Sequence, residues 1–146
     1  MEPARWLEYK KYAELPPDVY CCDLTPDGEP ILVARARIGE DLVPGYAING
    51  IGFFVVEGEC VIKEGNFSLL QGVNFHLQTT RIAPPSTFVS AGWSERENRH
   101  LHVGAMFVSG ILYPGELRGG ICSVAVNGRV YSDCRNYVVV AYTRMF

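Results

Sequence analysis

Two histidines, His100 and His102, stand two apart in a β-like run, a spacing that sends both side chains to one face of a strand and would offer two nitrogen ligands to zinc. A clear third ligand is missing beside them, with Glu97 the possible one and His76 far off in sequence, so the pair reads as two imidazoles on a solvated strand face. Cys21 and Cys22 are adjacent, and neighbouring strand residues point to opposite sides, so this pair alone makes a poor thiolate clamp. With Cys60, Cys122 and Cys134 they make five thiols and no CxxC pair, an odd count that favours reduced, space-filling cysteines over a disulfide framework. Glu40–Asp41 would suit acid–base work only with a shifted pKa and a partner, and the two sit on a polar loop. No GxSxG elbow, HExxH, P-loop or GxGxxG occurs. The expectation is a non-enzymatic protein with no cofactor and no metal site.

The elements that must position these residues are short. The chain has 146 residues, 48% hydrophobic, with 15 Gly and 9 Pro against 20% charged residues, which indicates one compact domain rich in turns and strands. A net charge of −3 argues against a phosphate-backbone binder, so nucleic acid is not an expected partner. The opening MEPARWLEYKKYAELPP has no long apolar run, and no later stretch approaches 18 apolar residues. No membrane span is expected, and the expected location is cytoplasmic. The runs ILVARARI (31–38), FFVV (53–56), FSLL (67–70), LHVGAMFV (101–108), SVAV (123–126) and YVVVAY (137–142) are β-rich, while Arg5 to Glu14 is the best and still poor attempt at a helix. Pro26-Asp27-Gly28, Pro44-Gly45, Glu57-Gly58, Pro114-Gly115 and Asn127-Gly128 read as the separating turns. Lys10 and Lys11, with Tyr9 and Tyr12, read as an exposed strand edge.

The chain also repeats itself. Sliding the sequence by 70 gives nine identities over 31–70 and 101–140, including Leu42/Leu112, Pro44/Pro114, Gly45/Gly115, Gly50/Gly120 and Gly58/Gly128. Chance would give about two or three at common residue frequencies. Upstream, Trp6 falls near Phe75 and Pro16-Pro17 near Pro84-Pro85. The reading is a tandem duplication, residues 1–72 and 73–146, forming one all-β domain. Its antiparallel sheets pack as a sandwich or prism with approximate internal two-fold symmetry, and Trp6 and Phe75 serve as aromatic core anchors.

Leu15-Pro16-Pro17-Asp18, ILVARA, LVPG (42–45), Gly58 and NFSLL (66–70) in the first half resemble a DM9 repeat. Ala91-Gly92-Trp93, HVGA (102–105), LYPG (112–115), NGR (127–129) and NYVVVAY (136–142) resemble a second. The resemblance implies a mannose-binding lectin of the kind that recognises microbes in innate immunity, often homodimeric, with two repeats and a dimer acting through multivalency. It also extends to a nematode sperm cytoskeletal factor, implying a protein-interaction or assembly module instead. In the lectins an Asp accepts and a Lys donates hydrogen bonds to the sugar. Those positions fall here on Thr25 and Tyr46 in the first half and on Ser94 and Glu116 in the second, so neither half keeps the pair. Asp23 and Asp27 lie close enough to replace the lost carboxylate, and Asp41 flanks the first cleft. Arg35, the family arginine, implies a structural ion pair or a ligand-lining role. Its counterpart Ala105 has no charge, which favours the first half as the competent one.

Overall fold

A computed structural model describes residues 4–11 and 14–143. Fourteen strands make up almost all of its regular structure: β1 (Arg5–Glu8), β2 (Cys21–Leu24), β3 (Pro30–Ile38), β4 (Asp41–Ile48), β5 (Ile51–Val56), β6 (Glu59–Lys63), β7 (Ser68–Gln71), β8 (Phe75–Gln78), β9 (Ser90–Ser94), β10 (Arg99–Val108), β11 (Ile111–Arg118), β12 (Ile121–Val126), β13 (Arg129–Asp133) and β14 (Val138–Tyr142). A single 3-10 turn, Pro85–Thr87, precedes β9. All the ladders are antiparallel and join into one sheet that does not close, in which β1, β2, β6, β8 and β13 each pair with one neighbour. The all-β expectation holds. No helix among the described residues is long and apolar enough to cross a membrane.

The 70-residue periodicity is written into the ladders. Arg35↔Pro44 recurs as Ala105↔Pro114, Phe54↔Val61 as Val124↔Tyr131, and Ala34↔Leu69 as Gly104↔Val139. Tight two-residue hairpins end these strands, with both central residues at positive φ: Glu57-Gly58 at 50° and 77°, Asn127-Gly128 at 52° and 76°. That geometry matches the natural strand twist. Upstream the equivalence differs from the sequence alignment. Trp6↔Leu70 corresponds to Leu77↔Val140, so Trp6 matches Leu77 and not Phe75.

The segment from Arg5, a poor helix by its sequence, begins as a strand, because Trp6 and Leu7 gain a ladder to β7 that an isolated two-turn helix could not match. Two further expectations are corrected. Tyr9 beyond it stacks flat on Phe67, with ring centroids 4.8 Å apart, and is no exposed edge residue. Lys10 and Lys11 are exposed, and Tyr12 lies outside the described residues. Pro44-Gly45 and Pro114-Gly115 are not turns but lie inside β4 and β11, at ordinary glycine φ. Space is what requires glycine there: a Cβ on Gly45 would come within 2.3 Å of the Phe53 carbonyl oxygen, and one on Gly115 within 2.0 Å of the Ser123 carbonyl oxygen.

The core has three clusters, two of them counterparts. Ala36, Ala47, Phe54 and Leu69 in the first half answer to Met106, Leu117, Val124 and Val139 in the second. Between them a shared cluster brings together Val33, Leu70, Phe75, Val89, Val103 and Val140, with Val33 and Val103 wholly buried. Trp6 packs against its edge. The two halves are therefore fused through a common core, and neither half's surface is free to shift alone.

Candidate functional site

The contact between β4 and β9, where Leu42 pairs with Trp93, opens a cleft of about 840 Å³ against β11. On β11, Glu116 and Arg118 are two residues apart and share a face. Arg118 ties the wall together. Its Nη1 donates to Ser94 Oγ at 3.1 Å and lies 3.3 Å from Glu97 Oε2, while Nη2 donates to Glu116 Oε2 at 3.1 Å. Across the cleft, Asp41 Oδ1 accepts the Glu95 backbone N–H at 2.9 Å, fixing the β9–β10 loop to the start of β4. Glu40 and Glu57 complete a lining of six carboxylates against Arg96 and Arg118, over a floor of Val43, Val55 and Val56. Arg96 and Glu57 approach to 3.7 Å, but both are about four-fifths exposed, so that pair adds little.

Glu116 is 7% exposed. Burial pushes its carboxyl pKa up, and the hydrogen bond and charge of Arg118 oppose the rise without cancelling it. Burial works to lower Arg118, yet Glu116 and Glu97 together hold it above its ordinary value. The result is a fixed arginine with buried acceptors behind it and exposed carboxylates in front.

The positions related to this cleft by the repeat are filled. Tyr46 occupies the place of Glu116, Ile48 that of Arg118, Tyr113 that of Val43 and Ile111 that of Asp41. The Tyr46 ring stacks on Phe53 at 4.9 Å and tilts against Tyr113 at 5.1 Å, and its hydroxyl donates to the Ala125 carbonyl. It is 2% exposed, and burial drives its pKa upward, so it serves as core and not as a ligand platform.

The expected site residues therefore divide three ways. Glu116 and Asp41 line the open cleft, while Ser94, wholly buried, supports its wall through Arg118, so Asp41 belongs with the second-half pair and not with Thr25 and Tyr46. Thr25 and Asp27 serve their own turn, and Asp23 links the first half to the second. Thr25 Oγ1 accepts the Glu29 N–H at 3.0 Å, Asp23 Oδ2 accepts the Leu112 N–H at 2.9 Å, and Asp27 is exposed in its turn. Arg35 lines neither cleft: its guanidinium lies 4.5 Å over the Trp6 ring and donates to the Ala91 carbonyl at 3.2 Å. Burial, and secondarily Arg37, lower its pKa. Arg118, Glu95 and Glu97 were missed by sequence reasoning. Arg118 alone carried a signal, standing two residues beyond Glu116 on one strand.

His100 and His102 both face a separate concavity, with a register shift in the β9–β10 ladder between Leu101 and His102. No group of three metal-ligating side chains forms among the described residues. The five cysteines are free thiols.

No family model and no curated protein matches the sequence. Among solved structures, the chain is similar to the crystal structure of the nematode sperm cell motility protein MFP2B, with a TM-score of 0.70 at 12% sequence identity. The match covers 94% of this chain and 46% of that one, so the chain spans about half the length of its structural neighbour. At this identity the likeness concerns the fold.

Proposed function

We propose that this chain is a non-enzymatic recognition module, built from two copies of one β-rich unit, that holds a lysine- or arginine-bearing segment of a partner protein in the acidic cleft. The observation that carries the reading is the divergence of two related clefts. One is filled by Tyr46 and Tyr113, while the other stays open at about 840 Å³ with six carboxylates and two arginines around it. Charge of one sign in a cleft with apolar walls attracts the opposite sign and speeds encounter. That its structural neighbour is a sperm cell motility protein is compatible with a protein-interaction module.

A second reading, a lectin-like mannose site in the same cleft, is favoured by one feature. Arg118 and Glu116 gather fixed donors and a carboxylate within hydrogen-bonding distance of one another on the cleft wall, with the buried Ser94 hydroxyl holding the arginine from behind, a set that suits a sugar diol. Against it, the lining includes no aromatic ring on which a sugar face would stack.

Calorimetric titration of the full chain with an arginine- and lysine-rich peptide and with methyl α-mannoside separates the two. The protein-interaction reading expects peptide binding that weakens with added salt and falls about tenfold or more in an Asp41→Asn/Glu95→Gln variant, with no mannoside heat. Mannoside binding that is lost in Glu116→Gln, without peptide binding, would establish the lectin reading in its place. Silence toward both ligands by a folded chain would remove both.

A further inference from the structure

A second pair of concavities, at the N-terminal ends of β3 and β10, is also related by the repeat. In the first half Tyr9, Glu29, Pro30, Leu32, Asn49 and Phe67 surround about 330 Å³. The stacked Tyr9 and Phe67 rings form one wall of that space, and its charged residue is Glu29. In the second half the same positions carry Thr80, Arg99, His100, His102, Gly119 and Tyr137, around about 570 Å³. Glu29 has become Arg99, Pro30 and Leu32 have become His100 and His102, and Asn49 has given way to Gly119.

We propose that this second-half concavity binds a small organic anion, a phosphate or carboxylate group carried on a flat apolar body. Its lining shares no residue with the acidic cleft, and it does not require the partner assigned there. No Asp or Glu lines it, although the chain as a whole carries a net charge of −3. Arg99 lies across the bare Gly119, so close that a Cβ there would sit 2.5 Å from its Nη1. Glu97 touches Arg99 from outside the lining, 3.5 Å from Nε. His102 Nδ1 lies 3.2 Å from the Val89 carbonyl, which places the proton on Nδ1 and turns Nε2 away from that bond. The apolar body has a surface to rest on in Phe88, edge-on to His102 at 5.6 Å, together with Leu117. Protonation of His102 Nε2 would supply the donor an anion needs, so binding should strengthen as that ring charges.

The titratable and charged neighbours of the two histidines come from several elements. On β10 they are each other and Arg99. From the segment before β14 comes Tyr137, and from the β9–β10 loop come Glu97 through Arg99 and Glu95 through the Trp93 indole, which packs edge-on to His100 at 4.9 Å. The lining contributed by β11 and by the 3-10 turn is uncharged.

The test is NMR titration of the histidine ring signals of the full chain with phenyl phosphate, benzoate, inorganic phosphate and phenol. Saturable shifts of His100 and His102, with His76 unmoved, are expected for phenyl phosphate or benzoate near pH 6, with affinity at least about fivefold weaker near pH 8. Arg99→Gln should weaken binding about fivefold or more, and Arg129→Gln, on exposed β13, should leave it unchanged. Arg99 is about half exposed, so its variant is expected to fold. Inorganic phosphate matching phenyl phosphate would deny the apolar contact, and phenol matching it would deny the anion site. Either result, or equal affinity in Arg99→Gln, or no saturable shift, overturns the proposal.

Discussion

The acidic cleft and its filled counterpart share a backbone frame and differ in what that frame holds. Where Glu116 and Arg118 face an opening, Tyr46 faces Tyr113 and closes it. Burying apolar side chains of this size contributes about 1.5–3 kcal/mol each, whereas a largely buried ion pair contributes little net stability after desolvation. The first-half site therefore reads as structural and the second-half site as available for binding. The other pair of concavities follows the same division: Tyr9 on Phe67 in the first half, Arg99 with His100 and His102 in the second.

If the frame is common to both halves, damage to it should be equally severe on either side. Gly45→Ala and Gly115→Ala each push a Cβ into a backbone carbonyl of the next strand, at 2.3 and 2.0 Å, where nothing can rotate away. Each is expected to cost about 3 kcal/mol or more, in urea denaturation monitored by tryptophan fluorescence. Gly65→Ala, where a Cβ meets nothing within 4 Å and φ is not positive, should stay within about 0.5 kcal/mol. Unchanged midpoints for the first two would mean that the Pro-Gly steps do not set the frame.

A graft sharpens the comparison with a smaller effect. Arg118→Ile alone strands the buried Glu116 and is expected to destabilise by roughly 3 kcal/mol, discounted toward about 2 because the arginine is 25% exposed. Glu116→Tyr/Arg118→Ile imports the first-half pair and should recover most of that loss, since replacing both members of a buried pair by apolar groups is often neutral. The same graft should abolish binding in the acidic cleft. A double variant as unstable as the single one would show that the two sites do not share one frame.

Much of the fold was legible because β-rich runs and Glu57-Gly58 or Asn127-Gly128 hairpins are local signals, and the repeat needed only identities at a fixed spacing. The short strands β1, β2, β6, β8, β9 and β13 were not, since four or five residues with mixed polarity acquire strand geometry from the partner they pair with. Pro44-Gly45 misled for a related reason: turn-forming residues were placed mid-strand by the approach of β5, a long-range fact. At the site, Ser94 and Glu116 were recoverable from the resemblance, but their meeting through Arg118 depends on the β9 and β11 strands arriving at one wall. That Tyr46 had become core was invisible, because its neighbour Tyr113 stands 67 residues away in sequence.

The smallest expected effect is a pH dependence confined to the second half. Burial lowers the His102 pKa below its usual value, helped by His100 and opposed by the bond to the Val89 carbonyl. Between the ordinary histidine value near 6.5 and the lowered folded one, the unfolded chain binds a proton that the folded chain does not. His102 therefore favours folding fully above about pH 6.5, and this contribution is lost as the pH falls toward the folded value. His102→Leu restores the residue found at the first-half position, Leu32, and is expected to flatten the stability profile over that interval while leaving the slope below it unchanged. Urea midpoints at closely spaced pH values measure this directly. A saturating anion in the concavity should flatten the wild-type profile too, by favouring the charged ring in the folded state, so an unaltered profile in both experiments would remove His102 as the titrating group that distinguishes the halves.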